Sequence, residues 1–455
     1  MNLTERLARF VAESESVPDD ALEAARRAVL DTLGVAVAGS REESARIAAA
    51  LALEAGGREE ATLLGHDERV PAAAAALTNG VAAHALDFDD VSAPMRGHPS
   101  VVLLPALLGL GEASASPGRD VLTAFGLGFE VQAKLGRAIG ERHYERGWHA
   151  TSTFGTIGAA AACARLQRLD AAATRAALGI AASMAAGLQR NFGSMTKHLH
   201  AGNAARSGLE AAQLAARGFT ADAAAIEGPA GFLALMGDGP ADLASLDAPG
   251  DPFEITSSGV GVKLYPCCYA THRALDAALD LRERHAIDPA AVRRLRVEVA
   301  RGGLLPLRSE PPTTGLQGKF SMEYCLAAAL LDGAVGLATF TDDAVRRPAA
   351  RDLMSKVETV EGEAPAEFPI GGYADLRVTL SDGTEHAHRV DVALGDPARP
   401  VSYERLVAKF RDCCDGVLPA GATDRTLAAL DRLADLPDIR ELTAALAATG
   451  AVRSP

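Results

Sequence analysis

The stretch TFGTIGAAAACA, Thr153–Ala164, carries no charge on any face. A helix that is small and apolar nearly all round belongs in the centre of a bundle, where Ala and Gly let neighbouring backbones approach closely. That one segment demands a layer of helices around it, and the first 250 residues supply them. Pro18, Asp19 and Asp20 open a segment in which Leu22, Ala25, Val29 and Leu33 follow at helical spacing. Further helices are expected at Ser44–Ala55, Val70–Leu86, Ser100–Glu112, Asp120–Ile139, Ser152–Leu166, Asp170–Leu188, Ala204–Ala216 and Thr220–Glu227, with short Gly, Pro, Asp and Asn breaks between them. Aromatic residues make up only 4%, so the interior is aliphatic.

The pattern changes near residue 260. LRVEVARG (Leu295–Gly302) and YADLRVTLSDGTEHAHRVDVAL (Tyr373–Leu394) alternate like strands, with Asp382-Gly383 as a hairpin turn. Helices are expected between them at Ala270–His285 and Phe320–Asp332. From Ser402 the chain is helical again, through YERLVAKFRDC, ATDRTLAALDRLADL and DIRELTAALAAT. The expected architecture is mainly α: a helical domain over residues 1–260, an α+β domain over 261–401, and helices over 402–455 that return to the first domain.

The net charge of −14 argues against a nucleic-acid partner, because phosphate binding needs a basic field. The six cysteines show no CxxC or Cys/His metal spacing, which fits a reduced, cytoplasmic chain. The acidic, amphipathic start MNLTERLARFVAESESV is unlike a signal peptide, and no apolar run of about 18 residues marks a membrane span. GxSxG, GxxxxGK[ST], GxGxxG after a strand and HExxH are all missing, so a serine nucleophile, a nucleotide or a flavin has no support.

Five polar clusters stand in apolar surroundings. HALDFDDVSAPMRGHPS (His84–Ser100) packs three carboxylates, two histidines and Arg96 between two helices. Its aspartates allow a metal reading, similar to the magnesium motif of helical terpene synthases. That chemistry needs an aromatic-lined pocket which this composition does not supply, and capping of helix ends accounts for at least one of Asp89 and Asp90. No metal is expected. RGWHATSTFGT places His149 just before the buried helix, NFGSMTKHLHAGNAARSG carries Lys197, His198, His200 and Arg206 ahead of another, KLYPCCYATHRALDAALDL opens a helix at His272, and GLQGKFSMEYCLAAALLDG holds Lys319 and Tyr324. A Lys and several His could neutralise the carboxylates of a small anionic substrate.

In order and spacing, DFDD…HPS, GWH…G, TKxLHxGxAAxxG, YPxCxxTH and KFSxxY resemble the MmgE/PrpD family over nearly the whole chain. That family includes 2-methylcitrate dehydratase, cis-aconitate decarboxylase and iminodisuccinate epimerase. The resemblance implies a helical domain built from both chain ends, an inserted α+β lid, a homodimer, and a cleft that works without metal or organic cofactor. It places active-site positions on Asp87, His98, His149, Lys197, His272 and Tyr324, to which Arg96, His200 and Ser92 are added as substrate-binding groups. Decarboxylase-like members resemble DFDDT in the first motif, whereas this chain has Val91 followed by Ser92. Decarboxylation therefore ranks behind dehydration and epimerisation, and the APMRGHPS loop and TGLQGKFSMEY look closest to the epimerase branch. The expected enzyme is a cofactor-free lyase or isomerase of a small di- or tricarboxylate. Histidine would take a proton α to a carboxylate or imine carbon, while Lys197 and Tyr324 steady the developing charge. The reading from another class is an idle helical dimer whose cleft only binds an anion; acid, base and cation groups present together favour the enzyme.

Overall fold

The computed structural model describes residues 2–237, 241–365 and 372–447. The longer helices are α1 (Leu3–Glu13), α2 (Asp19–Gly39), α3 (Glu43–Ala55), α4 (Ala72–Ala85), α5 (Ser100–Ser114), α6 (Gly118–Ile139), α7 (Ala150–Leu166), α8 (Ala171–Met184) and α9 (Met195–Ala215). A small antiparallel ladder joins β1 (Ala61–Thr62) to β2 (Arg69–Val70) between α3 and α4. The all-apolar segment forms α7, every residue of which from Ala150 to Ala164 is buried. Among the described residues no helix is long and apolar enough to cross a membrane.

Next come α10 (His272–His285), β3 (Val292–Arg301), α11 (Met322–Asp332), β4 (Val357–Pro365), β5 (Ala374–Leu380) and β6 (Glu385–Val390). The strands form one mixed sheet in the order β4-β3-β5-β6, with β3–β4 parallel and the other pairs antiparallel. Leu295 and Val297 of β3 and Leu376 and Val378 of β5 pack with Leu275 and Leu281 of α10 and Leu326 and Leu330 of α11. The turn at Asp382-Gly383 sits where the sequence puts it, with Gly383 at φ 90°, a conformation that glycine adopts freely. The chain then runs into α12 (Tyr403–Cys414) and α13 (Ala422–Asp431).

The chain divides into two compact units. One takes the chain up to Arg190, Met195–Val260 and the stretch from Ser402 onward; the other takes Asn191–Ser194 and Gly261–Val401. Three expectations differ from the structure. Thr220–Glu227 is a run of turns rather than a helix, and β4 carries a strand pairing that its sequence does not announce. The last two residues of the DIRELTAALAAT stretch, 448–449, lie outside the described residues.

The third difference bears on function: α9 begins at Met195, nine residues before the expected start at Ala204. The reason is inverted amphipathicity. Lys197, His198 and His200 are 2%, 3% and 8% exposed, while Met195 and Leu199 are 39% and 44% exposed. A search for an inward apolar stripe passes over such a turn.

Two glycines fix where that turn lies. A Cβ on Gly80 of α4 would sit 2.7 Å from Cα of Gly202 of α9, and one on Gly202 would collide with the carbonyl oxygen of Leu77. The crossing of α4 and α9 is therefore backbone on backbone. One turn onward from Gly80 stands His84, and one turn back from Gly202 stands His198; their rings are 6.5 Å apart. The substitution Gly202→Ala forces these helices apart, and we expect it to lower stability by about 1–3 kcal/mol, the usual range for overpacking. Urea unfolding measures this; an unchanged midpoint and slope would mean that the crossing is looser than described.

Candidate active site

The first unit gathers its polar side chains where five segments meet: the C-terminus of α4, the irregular turn Asp87–Asp90, the Val91–His98 loop, and the first turns of α7 and α9. The turn has no ladder to hold it, and Asp87 is in the left-handed conformation at φ 51°. The loop is closed by a bridge between Ser92 and Gly97, and Arg96 is also left-handed at φ 53°. It docks on α7 through the backbone N–H of His98, which donates to Thr151 Oγ1 at 3.0 Å.

At the centre, Lys197 Nζ donates to Asp87 Oδ1 at 2.6 Å, with both side chains buried. Imidazoles surround the pair. His98 Nε2 lies 4.0 Å from the same Asp87 oxygen. His98 Nδ1 is 2.8 Å from the Asp90 carbonyl and 3.1 Å from Asp89 Oδ2. A carbonyl can only accept, so Nδ1 of His98 carries the hydrogen, and Nε2, turned towards Asp87, is the nitrogen that can take or give a proton. His84 Nδ1 donates to Asp89 Oδ2 at 2.8 Å. His149 and His200 face each other Nδ1 to Nδ1 at 2.9 Å, one donating and the other accepting. The rings of His84 and His149 stack at 5.6 Å, and His198 shares a 2.8 Å hydrogen bond with Ser44.

Burial decides the protonation of this ring of histidines. It pushes His84 down to about 3 and His200 down to about 4, and it holds His149 well below the ordinary histidine value, with Lys197 adding to each shift. These three are neutral at pH 7. Burial alone would raise Asp89, but the imidazoles of His84 and His98 keep it well below the ordinary carboxylate range. Asp90 goes the other way: burial raises it to about 8, with Asp31 and Asp89 adding to the effect. Its carboxyl receives the N–H of Ser100 at 3.3 Å and the Ser100 hydroxyl, so the capping expected of Asp89 or Asp90 belongs to Asp90, at the start of α5.

Of the expected residues in this unit, Asp87, His98, His149, Lys197 and His200 therefore come together. Arg96 points its guanidinium at Glu141, 3.7 Å away, and Ser92 has a buried Oγ with no hydrogen-bond partner among the described residues. His272 and Tyr324 belong to the other unit. His272 Nε2 donates to the Cys267 carbonyl at 3.3 Å, between the rings of Tyr265 and Tyr269, which leaves its buried Nδ1 as an acceptor without a partner among the described residues. Tyr324 is wholly buried, donates its hydroxyl to the Thr339 carbonyl, and is raised to about 12 by burial. His84, Asp89 and His198 were missed as site residues; a polar HAxDFD string at the end of an otherwise apolar helix was the available signal for the first two.

His84, Asp87, Asp89 and His98 each offer one ligand-type atom, all within 4.8 Å of one another. The donor types suit a divalent ion. Yet Lys197 already gives Asp87 its positive partner, and Asp89 already accepts from both Nδ1 atoms. His84 Nε2 and Asp89 Oδ1 remain buried without a hydrogen-bond partner among the described residues.

The family model of the MmgE/PrpD N-terminal domain matches residues 5–243, and that of the MmgE/PrpD C-terminal domain matches residues 265–435. The chain is 33% identical over 442 residues to the cis-aconitate decarboxylase of Homo sapiens, covering 94% of this chain and 90% of that one. It is 32% identical over 440 residues to the Mus musculus enzyme of the same name, covering 93% and 89%. It is 28% identical over 467 residues to that of Aspergillus terreus, covering 94% and 93%. These relatives are named as decarboxylases, the activity ranked behind dehydration and epimerisation when Val91 is read in the sequence.

Imidazoles withdrawn from solvent also set a pH dependence. His66, His84, His143, His149 and His200 all have folded-state values depressed below 6.5, so the unfolded chain binds protons that the folded one refuses. Their stability contribution is present above about pH 6.5 and is lost as pH falls towards 4. Asp90 and Glu130, raised by burial, act in the opposite sense, two groups against five. Stability by urea unfolding should therefore fall between pH 6.5 and 5. A flat or rising profile would show that these histidines are charged in the folded protein.

Proposed function

The chain belongs to the MmgE/PrpD family, and from that premise we propose that it is a lyase that decarboxylates a small tricarboxylate of the cis-aconitate type, without metal or organic cofactor. One observation carries the reading: a buried ammonium, Lys197, is set against Asp87 and ringed by His98 and neutral His84, His149 and His200. A desolvated cation holds a carboxylate strongly, and the imidazoles are proton carriers within reach of it.

The chemistry suits that inventory. In cis-aconitate the carboxylate on the CH2 carbon leaves as carbon dioxide. Its bonding pair forms the new C=CH2 double bond, and the old alkene pair takes a proton at the former =CH carbon. The enzyme must hold the two carboxylates that stay, leave the departing one desolvated, and deliver one proton to carbon. Lys197 serves the first need, with the Ser92 hydroxyl as a further donor in place of the hydroxyl that Val91 lacks. His149 serves as the proton donor. It is neutral before substrate arrives, but three added negative charges in a desolvated site raise its affinity for a proton. Dehydration needs a proton taken from carbon, epimerisation needs one taken and another returned on the opposite face, and the same ring of histidines would serve either.

Incubation with cis-aconitate, 2-methylcitrate and iminodisuccinate in deuterated water, followed by NMR, separates these reactions. We expect carbon dioxide from cis-aconitate and one deuterium per product, on the CH2 carbon next to a carboxylate. His149→Ala should slow this at least about tenfold, the lower range for a lost general acid. An alkene or an inverted centre without carbon dioxide would replace decarboxylation by dehydration or epimerisation. An undiminished rate in His149→Ala would remove that histidine from the proton step.

A further inference from the structure

One buried charged pair of the first unit has no part in the proton chemistry. Lys409 of α12 is 7% exposed and Asp31 of α2 is 2% exposed, and their charged groups meet at 2.7 Å. As an anchor for α12 on α2 the pair is poorly chosen, because apolar side chains of similar volume hold two helices at least as well and need no desolvation. Lys409 does something that an apolar residue cannot. Its Nζ donates to the backbone carbonyl of Phe88 at 2.8 Å and lies 3.9 Å from the centre of the Phe88 ring.

Phe88 is the residue between Asp87, which pairs with Lys197, and Asp89, which receives His84 and His98. The backbone here is irregular, with Asp87 left-handed, so the peptide that joins the two carboxylates depends on outside donors for its orientation. We propose that Lys409 is the positioning residue of the Asp87–Asp89 turn: anchored by Asp31, it grips the Phe88 carbonyl and sets the angle at which both carboxylates meet Lys197, His84 and His98. The catalytic centre is thereby tied to α12, a helix from the far end of the chain. The inference rests on the reading of this cluster as the catalytic centre.

The test compares the wild-type protein with Asp31→Leu/Lys409→Met, which exchanges the pair for apolar side chains, and with Lys409→Arg, which keeps charge and donor. We expect the double variant to retain its circular dichroism and to lose at least about tenfold in kcat with KM within about threefold, as for a misplaced catalytic group. Lys409→Arg should recover most of the loss. Undiminished kcat in the folded double variant, or an arginine variant as impaired as the double one, overturns the proposal. A readout without substrate keeps the two questions apart: the 15N shifts of the His84 and His98 imidazoles report their tautomers. If the wild-type protein turns over none of the tested acids, the functional reading fails, while moved His84 and His98 signals in the double variant still support Lys409 and unmoved ones still refute it. Should the double variant not fold, the same signals are read in the near-isosteric Asp31→Asn, where moved resonances support the assignment and unmoved ones overturn it.

Discussion

Everything about this site follows from one buried ion pair, Lys197 with Asp87 at 2.6 Å. A lone ammonium or a lone carboxylate in a desolvated space is costly, and here each charge offsets the other. The pair then imposes its field on its neighbours. Lys197 lowers the proton affinity of His84, His149 and His200 beyond what burial does, so the centre waits with the Lys197 ammonium, the Asp87 and Asp89 carboxylates and uncharged His84, His149 and His200. Such a site is short of positive charge for a substrate with several carboxylates. It gains that charge by picking up protons, which is also what a reaction that protonates carbon requires.

The scaffold serves this arrangement with little freedom. Glycines at the crossing of α4 and α9 bring two backbones into contact, and the site lies one helical turn away on each. Asp90, kept largely protonated by burial, closes the start of α5, and its carbonyl fixes the tautomer of His98. These segments are thus locked against one another by backbone contacts and hydrogen bonds, the precision that a positioned acid or base needs.

The sequence made the bundle legible because α7 has only one place to go, and it made the α+β stretch legible because β3 and β5 alternate cleanly. It concealed β4, whose pairing with β3 is parallel and distant in sequence, and it concealed the first turns of α9. That second failure is physical: in Lys197, His198 and His200 the polar side chains point inward and the apolar ones outward, so periodicity reads the segment as a loop. An inside-out turn at a helix start is itself a mark of a functional site. The motifs yielded Asp87, His98, His149 and Lys197 by resemblance, but no pattern in α12 singles out Lys409, whose partners are over 300 residues away in the chain. Val91 weighed against decarboxylation when read alone; beside it the buried Ser92 hydroxyl has no hydrogen-bond partner among the described residues.

The proposed proton step needs imidazoles that are neutral in the empty site and take up protons when carboxylates enter. Calorimetric titration with saturated propane-1,2,3-tricarboxylate, in buffers of different ionisation enthalpy at pH 7.5, measures that uptake directly. Net uptake of about one proton or more per molecule bound is expected, as added negative charge raises the buried histidines. Binding with no uptake, or with release, would contradict that step.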